Sequence, residues 1–181
     1  SMNISGATAV QGIRGTALSF NGDTQYAAVN NISPFASGGD LTLASWIRLD
    51  SLKYAFIADL PGFYFFRSVS GSIDIYVSPT AIIPGGAIKT NTWYFVVATY
   101  SSTAHMIVLY IDGKEVSRLG SIPSLTISSP IYLGNYRSPN SSYDCRCTID
   151  EFSLYTESLS VAQIEKLYAE GAPRHYLAFK P

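Results

Sequence analysis

The sequence predicts an all-β fold of two packed sheets with one short C-terminal helix. Short runs in which apolar and polar residues alternate recur along the chain, and Gly, Pro, Asn and Asp separate them, which is typical of sandwiches and barrels. The hydrophobic fraction of 47% is too high for a disordered chain. A length of 181 residues suits one domain with a substantial core, which we expect to span residues 3–181. Ser1 and Met2 are interpreted as a remnant of an expression tag.

About a dozen strands are predicted from these runs. The long run from 41 to 49 places Leu41, Leu43 and Ile47 on one face, because side chains alternate along a strand. Asp112-Gly113 supplies the positive φ angles of a type I′ turn, and a hairpin is also expected across Ser70-Gly71. The predicted strands cover 16–20, 26–29, 41–49, 63–69, 72–77, 93–100, 106–111, 115–116, 131–133 and 148–155.

A single helix is predicted near the C-terminus. Ser160 and Gln163 form a capping box, and Leu159 and Ile164 are spaced as the accompanying hydrophobic staple. Gly171 is expected to end the helix. We expect this helix to cover an edge or an open end of the sandwich.

The charge balance excludes two classes of partner. The chain has 12 Lys and Arg against 13 Asp and Glu, a net charge of −1 and only 14% charged residues. There is therefore no basic patch for nucleic acid, and no apolar run approaches the roughly 20 residues of a membrane span. Abundant Ser, Thr and Tyr, with glycosylation sequons at Asn3, Asn31 and Asn140, favour an extracellular surface.

Six segments, in this order, resemble the laminin-G-like branch of the concanavalin A-like jelly rolls. They are GIRGTALSFNG from 12, LTLASWI from 41, WYFVVATY from 93, LYIDG from 109, IYLG from 131 and IDEFSLY from 149. Together with the helix they span about residues 12–171. The resemblance implies a two-sheet jelly-roll sandwich, but it implies no single function, because this fold hosts many.

The N-terminal end of the chain departs from the family pattern, and the C-terminal tail is similar to one group of relatives. Related modules carry a longer lead-in strand, whereas only residues 3–11 precede the first matching segment. The tail from 170 to 177 is similar to the endings of laminin-G-like domains on prokaryotic pilin-like surface proteins. An alternative function is therefore a structural domain of a surface filament, whose partners are further subunits.

Catalysis is not expected. The superfamily includes glycoside hydrolases, which need two carboxylates about 5 to 9 Å apart across the scissile bond. Their acidic residues alternate along one strand, but here Asp150 and Glu151 are adjacent and face opposite ways, and Asp74 has no acidic residue two positions away. A glycoside hydrolase is kept as a remote alternative.

A structural calcium ion is implied by the resemblance. In many relatives it is held by the Asp of the Ile-Asp-Glu motif, here Asp150, and by a turn near the N-terminus, here Asn21, Gly22 and Asp23. Calcium takes six to eight oxygen ligands, which such a turn can supply in part. The alternative is that Asp150 only accepts backbone hydrogen bonds at a strand end.

The predicted ligand-binding loop lies between the last two strands. It offers Tyr136, Arg137, Asn140, Tyr143 and Asp144 with few apolar neighbours, which is typical of an adaptable recognition loop. The alternative is a solvated surface loop. Weaker candidates are Tyr54 and the patch from 63 to 67, whereas other tyrosines at strand spacing, Tyr94, Tyr100, Tyr110 and Tyr155, are expected in or beside the core.

Cys145 and Cys147 are separated by one residue. In a regular strand their Cα atoms would lie about 7 Å apart, too far for an unstrained disulfide, but a bent segment could close the bridge. A structural role is expected, as thiols or as a disulfide, in preference to a metal site.

The leading hypothesis is a non-catalytic extracellular module that binds a glycan or a cell-surface protein through loops at one end, for adhesion. Filament packing is the alternative, and a large exposed apolar patch would favour it.

Overall fold

The computed structural model describes residues 2–30, 38–61, 64–77, 81–136 and 142–171. They form fourteen strands and one helix. The strands are β1 (Met2–Ser5), β2 (Thr8–Gln11), β3 (Thr16–Asn21), β4 (Tyr26–Val29), β5 (Leu41–Leu49), β6 (Ala55–Leu60), β7 (Tyr64–Val69), β8 (Ser72–Val77), β9 (Ala81–Ile83), β10 (Trp93–Ser101), β11 (Met106–Ile111), β12 (Lys114–Leu119), β13 (Ile131–Leu133) and β14 (Arg146–Tyr155), and the helix is α1 (Val161–Gly171).

The strands are arranged in two seven-stranded antiparallel sheets. Sheet A has the order β1-β4-β13-β6-β7-β8-β9, and sheet B has the order β12-β11-β10-β5-β14-β3-β2. Strands that are distant in sequence are neighbours in both sheets, as in a jelly roll. The predicted all-β jelly-roll sandwich is therefore confirmed, and no helix in the described ranges is long and apolar enough to cross a membrane.

The core lies between the inner faces of the two sheets. In β5, Leu41, Leu43, Ile47 and Leu49 all belong to this core, as the alternation predicts. Sheet A contributes the inner side chains of β6, β7, β8 and β13. β6 is buried along its whole length, so it carries no alternating pattern and was not among the predicted strands. The short strands β1, β2 and β9 were also not anticipated.

Helix α1 packs against the outer face of sheet B. The ring of Trp46 stacks on that of Tyr168 in the helix, at a centroid distance of 5.7 Å. Ile164, also in the helix, is fully buried against the sheet. This corrects the expectation that the helix covers an edge or an open end. The middle strands of sheet B carry apolar side chains on both faces. Those on the outer face are buried by the helix.

The predicted local signals are present. The backbone N–H of Ser160 donates to Gln163 Oε1 at 2.8 Å, which confirms the capping box. Strands β7 and β8 pair across Ser70-Gly71, and β11 and β12 pair across Asp112-Gly113. All four turn residues have positive φ, as type I′ turns require.

Candidate functional site

Four aromatic side chains form a cluster that we call the aromatic platform: Tyr54, Phe56, Tyr136 and Tyr143. Phe56 lies at its centre, with ring centroids 4.7 Å from Tyr136 and 5.5 Å from Tyr143. Tyr54 contacts Tyr143 edge to face at 5.2 Å. Phe56 is buried, whereas Tyr54 and Tyr143 are 40% and 42% exposed. The platform therefore presents two tyrosine rings to solvent above a buried aromatic base.

The platform is assembled by backbone hydrogen bonds to β6. A register shift in the pairing of β6 with β7 falls between Phe56 and Ala58. At this irregularity, the carbonyl of Ile57 accepts from the N–H of Gly134 at 2.8 Å, and the N–H of Phe56 donates to the carbonyl of Tyr143 at 2.9 Å. Both ends of the loop that follows β13 are thus fixed to one strand, which brings Tyr136 and Tyr143 to the same place.

A disulfide lies at the C-terminal end of this loop. Cys145 and Cys147 form a disulfide with their Cα atoms 5.4 Å apart, and both residues are buried. The N–H of Cys145 also donates to the carbonyl of Gly134 at 2.9 Å. The chain bends here as it enters β14, so the distance expected for a regular strand does not apply. A structural role for the pair is confirmed, in the disulfide form.

An Arg–Asp pair adjoins the platform. Arg67 in β7 and Asp74 in β8 are both buried, and Nη1 of Arg67 donates to the hydroxyl of Tyr54 at 3.2 Å. The guanidinium also lies over the rings of Tyr54 and Tyr76, at 5.6 and 5.0 Å from their centroids. Burial opposes the charge of Arg67, but its hydrogen bonds with Asp74 and the attraction of that carboxylate outweigh burial and raise the pKa of Arg67. The pair therefore fixes Tyr54 from one side while remaining charged.

The predicted ligand-binding residues are only partly brought together in the described structure. Tyr136 and Tyr143 are neighbours in the platform, with ring centroids 6.2 Å apart. Asp144 is buried, and its Oδ2 accepts from the N–H of Thr24 at 3.1 Å, so it ties the loop to the β3–β4 turn. Arg137 and Asn140 lie outside the described residues.

Sequence reasoning missed Phe56 and the pairing of Arg67 with Asp74. The second was within reach, because a two-residue turn at Ser70-Gly71 places Arg67 opposite Asp74 in the hairpin. Opposite charges on facing positions stabilise such a pair of strands. No local signal pointed to Phe56, whose neighbours in the platform come mainly from a loop about 80 residues later.

The residues predicted to hold calcium are separated. Asp150 is buried, and its carboxylate accepts from the N–H groups of Arg14 and Glu151, at 3.0 and 2.9 Å. Asn21 pairs with Arg146, four residues before Asp150, which is roughly 13 Å along the strand. Asp150 therefore does not fit into one ion site with Asn21 and Asp23.

One side-chain oxygen of the turn is engaged locally. Oδ1 of Asn21 accepts from the N–H of Asp23 at 2.9 Å. In the described part of the chain, no group of three His, Cys, Asp or Glu side chains is placed to hold a metal. Calcium binding by this chain stays a prediction.

Two of the three carboxylates considered for catalysis are held by other groups. Asp74 is bound by Arg67, and Asp150 accepts two backbone hydrogen bonds. Glu151 is exposed while Asp150 is buried, so the two adjacent carboxylates are in different environments.

Comparison with known proteins agrees with this architecture. The Trypanosoma rangeli sialidase in complex with sialic acid is similar in structure, with a TM-score of 0.74 and 22% identity over 92% of this chain and 29% of the sialidase. The binding domain of Paraclostridial Mosquitocidal Protein 1 has a TM-score of 0.76 and 16% identity over 94% of this chain and 47% of that one. At these identities the likeness shows the fold alone, and this chain spans less than half of either structure.

No curated protein matches the sequence significantly. A laminin G family model, described as concanavalin A-like lectin/glucanases superfamily, matches residues 21–165. This match covers most of the chain and agrees with the two-sheet architecture. The chain belongs to the concanavalin A-like lectin/glucanases superfamily.

Proposed function

We propose that this chain is a non-catalytic module that binds a glycan at the aromatic platform. The observation that carries this proposal is the pair of exposed rings, Tyr54 and Tyr143, held side by side above Phe56. The apolar face of a pyranose stacks on such rings. Neighbouring hydroxyl groups of the tyrosines supply polar partners for sugar hydroxyls.

The position of the platform supports this choice of surface. It lies beside β6 and β7 of sheet A, whereas the middle of the outer face of sheet B is covered by α1. The buried Arg67–Asp74 pair fixes Tyr54, and the hydrogen bond from Phe56 to Tyr143 fixes the loop. A site whose rings are already held in place loses little side-chain entropy when a ligand binds.

The similar structures are compatible with a binding role. One is a binding domain, and another is a sialidase in complex with sialic acid. The non-catalytic part of the proposal rests on the carboxylates near the platform. Asp74 is bound at both oxygens by Arg67, and Oδ2 of Asp144 accepts from the N–H of Thr24. Neither is arranged as an acid or base across an open groove.

An extracellular location, and a role in adhesion, are part of the same proposal. The Cys145–Cys147 disulfide supports it, because disulfides persist mainly in oxidising compartments. Low charge and abundant hydroxyl side chains are consistent with it. The partner would then be a glycan on a cell surface or on a surface protein.

The test is a glycan array on the purified domain, run once with excess calcium and once with EDTA. We expect a defined sugar hit whose affinity falls by at least about tenfold in the double variant Tyr54→Ala/Tyr143→Ala, since a stacked ring contributes about 1 kcal/mol. Tyr155→Ala is the matched control, because Tyr155 is a partly buried tyrosine of β14 in the other sheet. Circular dichroism verifies that each variant is folded.

The other outcomes assign the alternatives. A hit that disappears in EDTA would support the calcium prediction. Cleavage of the bound glycan during incubation would establish a glycoside hydrolase. A blank array from folded protein would overturn glycan binding and favour protein adhesion or filament packing. An unchanged hit in the double variant would place the site elsewhere.

A further inference from the structure

A cavity of about 510 Å³ opens between the two sheets, away from the aromatic platform. Its walls come from both sheets, with Val29 and Leu133 on one side and Leu18, Ile149 and Leu154 on the other. Protein interiors normally contain few voids larger than a water molecule. A volume of this size is instead in the range of small-molecule pockets.

The cavity exists because β1 is the edge strand of sheet A and because β14, inside sheet B, loses its pairing with β3. Met2 pairs with Val29, so its side chain is on the inner face of sheet A, yet it is 52% exposed. Pairing between β14 and β3 ends at Ile149 and Leu18. Beyond that point a bulge separates β14 from its regular register with β5, and Glu151 has a φ of 50°. The sandwich is therefore incompletely closed at this side.

The lining identifies the kind of ligand. Its deep part is aliphatic, apart from Phe152. Thr16 and Glu151 also line the cavity and are exposed, so they form its polar mouth. The carboxylate of Asp150 is already held by the N–H groups of Arg14 and Glu151, so it is not available to a ligand. An apolar chain in the cavity would leave its head group in water beside Glu151, the one residue of the mouth with a net charge in the described structure.

We propose that this cavity binds the alkyl chain of a single-chain amphiphile whose head group is cationic. The aliphatic walls bury the chain, which is favourable by about 0.8 kcal/mol for each buried methylene. The exposed carboxylate of Glu151 attracts a cationic head and repels an anionic one. The positive φ of Glu151 and the adjacent bulge are features that occur often at binding sites.

The experiment uses two probes with the same chain, decyltrimethylammonium and decyl sulfate, at concentrations at which both are monomeric. Methyl NMR spectra of the protein report the side chains that each probe contacts. We expect saturable shifts at Leu18, Leu133, Ile149 and Leu154, and about tenfold weaker binding of the sulfate. The methyl signals of Ile73, which lies in the core away from the cavity, are expected not to shift.

Three variants locate the site. Thr16→Trp closes the mouth from an exposed position and is expected to abolish binding, while Leu18→Trp fills the cavity itself. Thr8→Trp is the matched control, because Thr8 is an exposed threonine of β2 that pairs with Ser19, on the opposite face of β3 from Thr16. Glu151→Gln is expected to remove most of the preference between the two head groups.

Contrary results are equally clear. Shifts that do not saturate, or equal binding by the Thr16→Trp and Thr8→Trp variants, would overturn the proposed cavity site. Stronger binding of decyl sulfate than of decyltrimethylammonium would overturn the assignment of the head group. If Leu18→Trp does not fold, the Thr16→Trp variant still decides, since it leaves the core unchanged.

Discussion

Arg67 and Asp74 face each other across the β7–β8 hairpin and are joined by two hydrogen bonds, of 2.7 and 2.9 Å. Both side chains are about 90% buried, so each charge depends on the other for compensation. The same guanidinium contacts Tyr54, which links the stability of the hairpin to the aromatic platform.

Replacing Arg67 by Ala is expected to destabilise the protein by about 3 kcal/mol, because it leaves the Asp74 carboxylate buried without its cation. The measurement is urea unfolding followed by tryptophan fluorescence. Arg118→Ala is the matched control, since Arg118 forms a similar two-bond pair with Glu115 on the surface. Little change is expected there, because solvent screens exposed pairs. Equal losses in the two variants would contradict the argument from burial.

Gly134→Ala is expected to be far more destabilising than Gly15→Ala. Both glycines have positive φ, so the backbone cost of an added Cβ is similar in the two variants. At Gly134 the new atom would also lie 2.6 Å from Cγ of Phe20, whereas nothing lies within 4 Å of it at Gly15. This contact with Phe20 should add about 1–3 kcal/mol to the loss of stability in Gly134→Ala.

Thermal unfolding of the two glycine variants, measured side by side, checks this prediction. Similar unfolding temperatures would show that Phe20 moves aside at no cost. Since Gly134 hydrogen-bonds to β6 beneath the platform, Gly134→Ala should also weaken the binding of any platform ligand.

Asp112→Asn is expected to stabilise the protein at neutral pH by less than about 1 kcal/mol. Burial raises the pKa of Asp112, although a hydrogen bond from the N–H of Phe95 opposes the rise. The folded state therefore holds its proton more tightly than the unfolded state, so the carboxylate costs stability as pH rises through the raised pKa. Asn still accepts the hydrogen bond from Phe95 and favours the turn with Gly113.

The measurement is unfolding free energy against pH from about 3 to 7. The advantage of Asp112→Asn should grow with rising pH. Glu115→Gln, on the same hairpin, should behave oppositely, since a hydrogen bond from Arg118 lowers the pKa of Glu115. That stabilisation is present above the ordinary Glu pKa and is lost as pH falls through the lowered value. If the stability effects of both substitutions changed with pH in the same direction, this assignment would be contradicted.

Asp150→Ala is expected to destabilise the protein by about 2 kcal/mol, because the N–H groups of Arg14 and Glu151 lose their charged acceptor. The loss should be the same in calcium and in EDTA, since both carboxylate oxygens are engaged with the backbone. A loss seen only in calcium would instead make Asp150 a metal ligand. Chemical denaturation in the two buffers distinguishes these outcomes.

The sequence predicted those parts of the fold that depend on neighbouring residues. Alternation in β5 identified its inner face, and the capping box identified the start of α1, because strand and helix periods are properties of the local backbone. β6 escaped prediction because it is buried on both faces and therefore has no alternation. The candidate site was found only in part, through the tyrosines of the loop after β13.

The sequence by itself determined the two-sheet sandwich, its hairpin turns and the cap of its helix, since backbone stereochemistry and side-chain periodicity fix these over a few residues. Only the tertiary structure decided that Phe56 meets Tyr136, that Arg67 supports Tyr54, that α1 covers Trp46 and that Asp150 binds the backbone near Arg14. These contacts join segments that are mostly far apart in the chain. They depend on which strands become neighbours and in which register, and no local pattern specifies that.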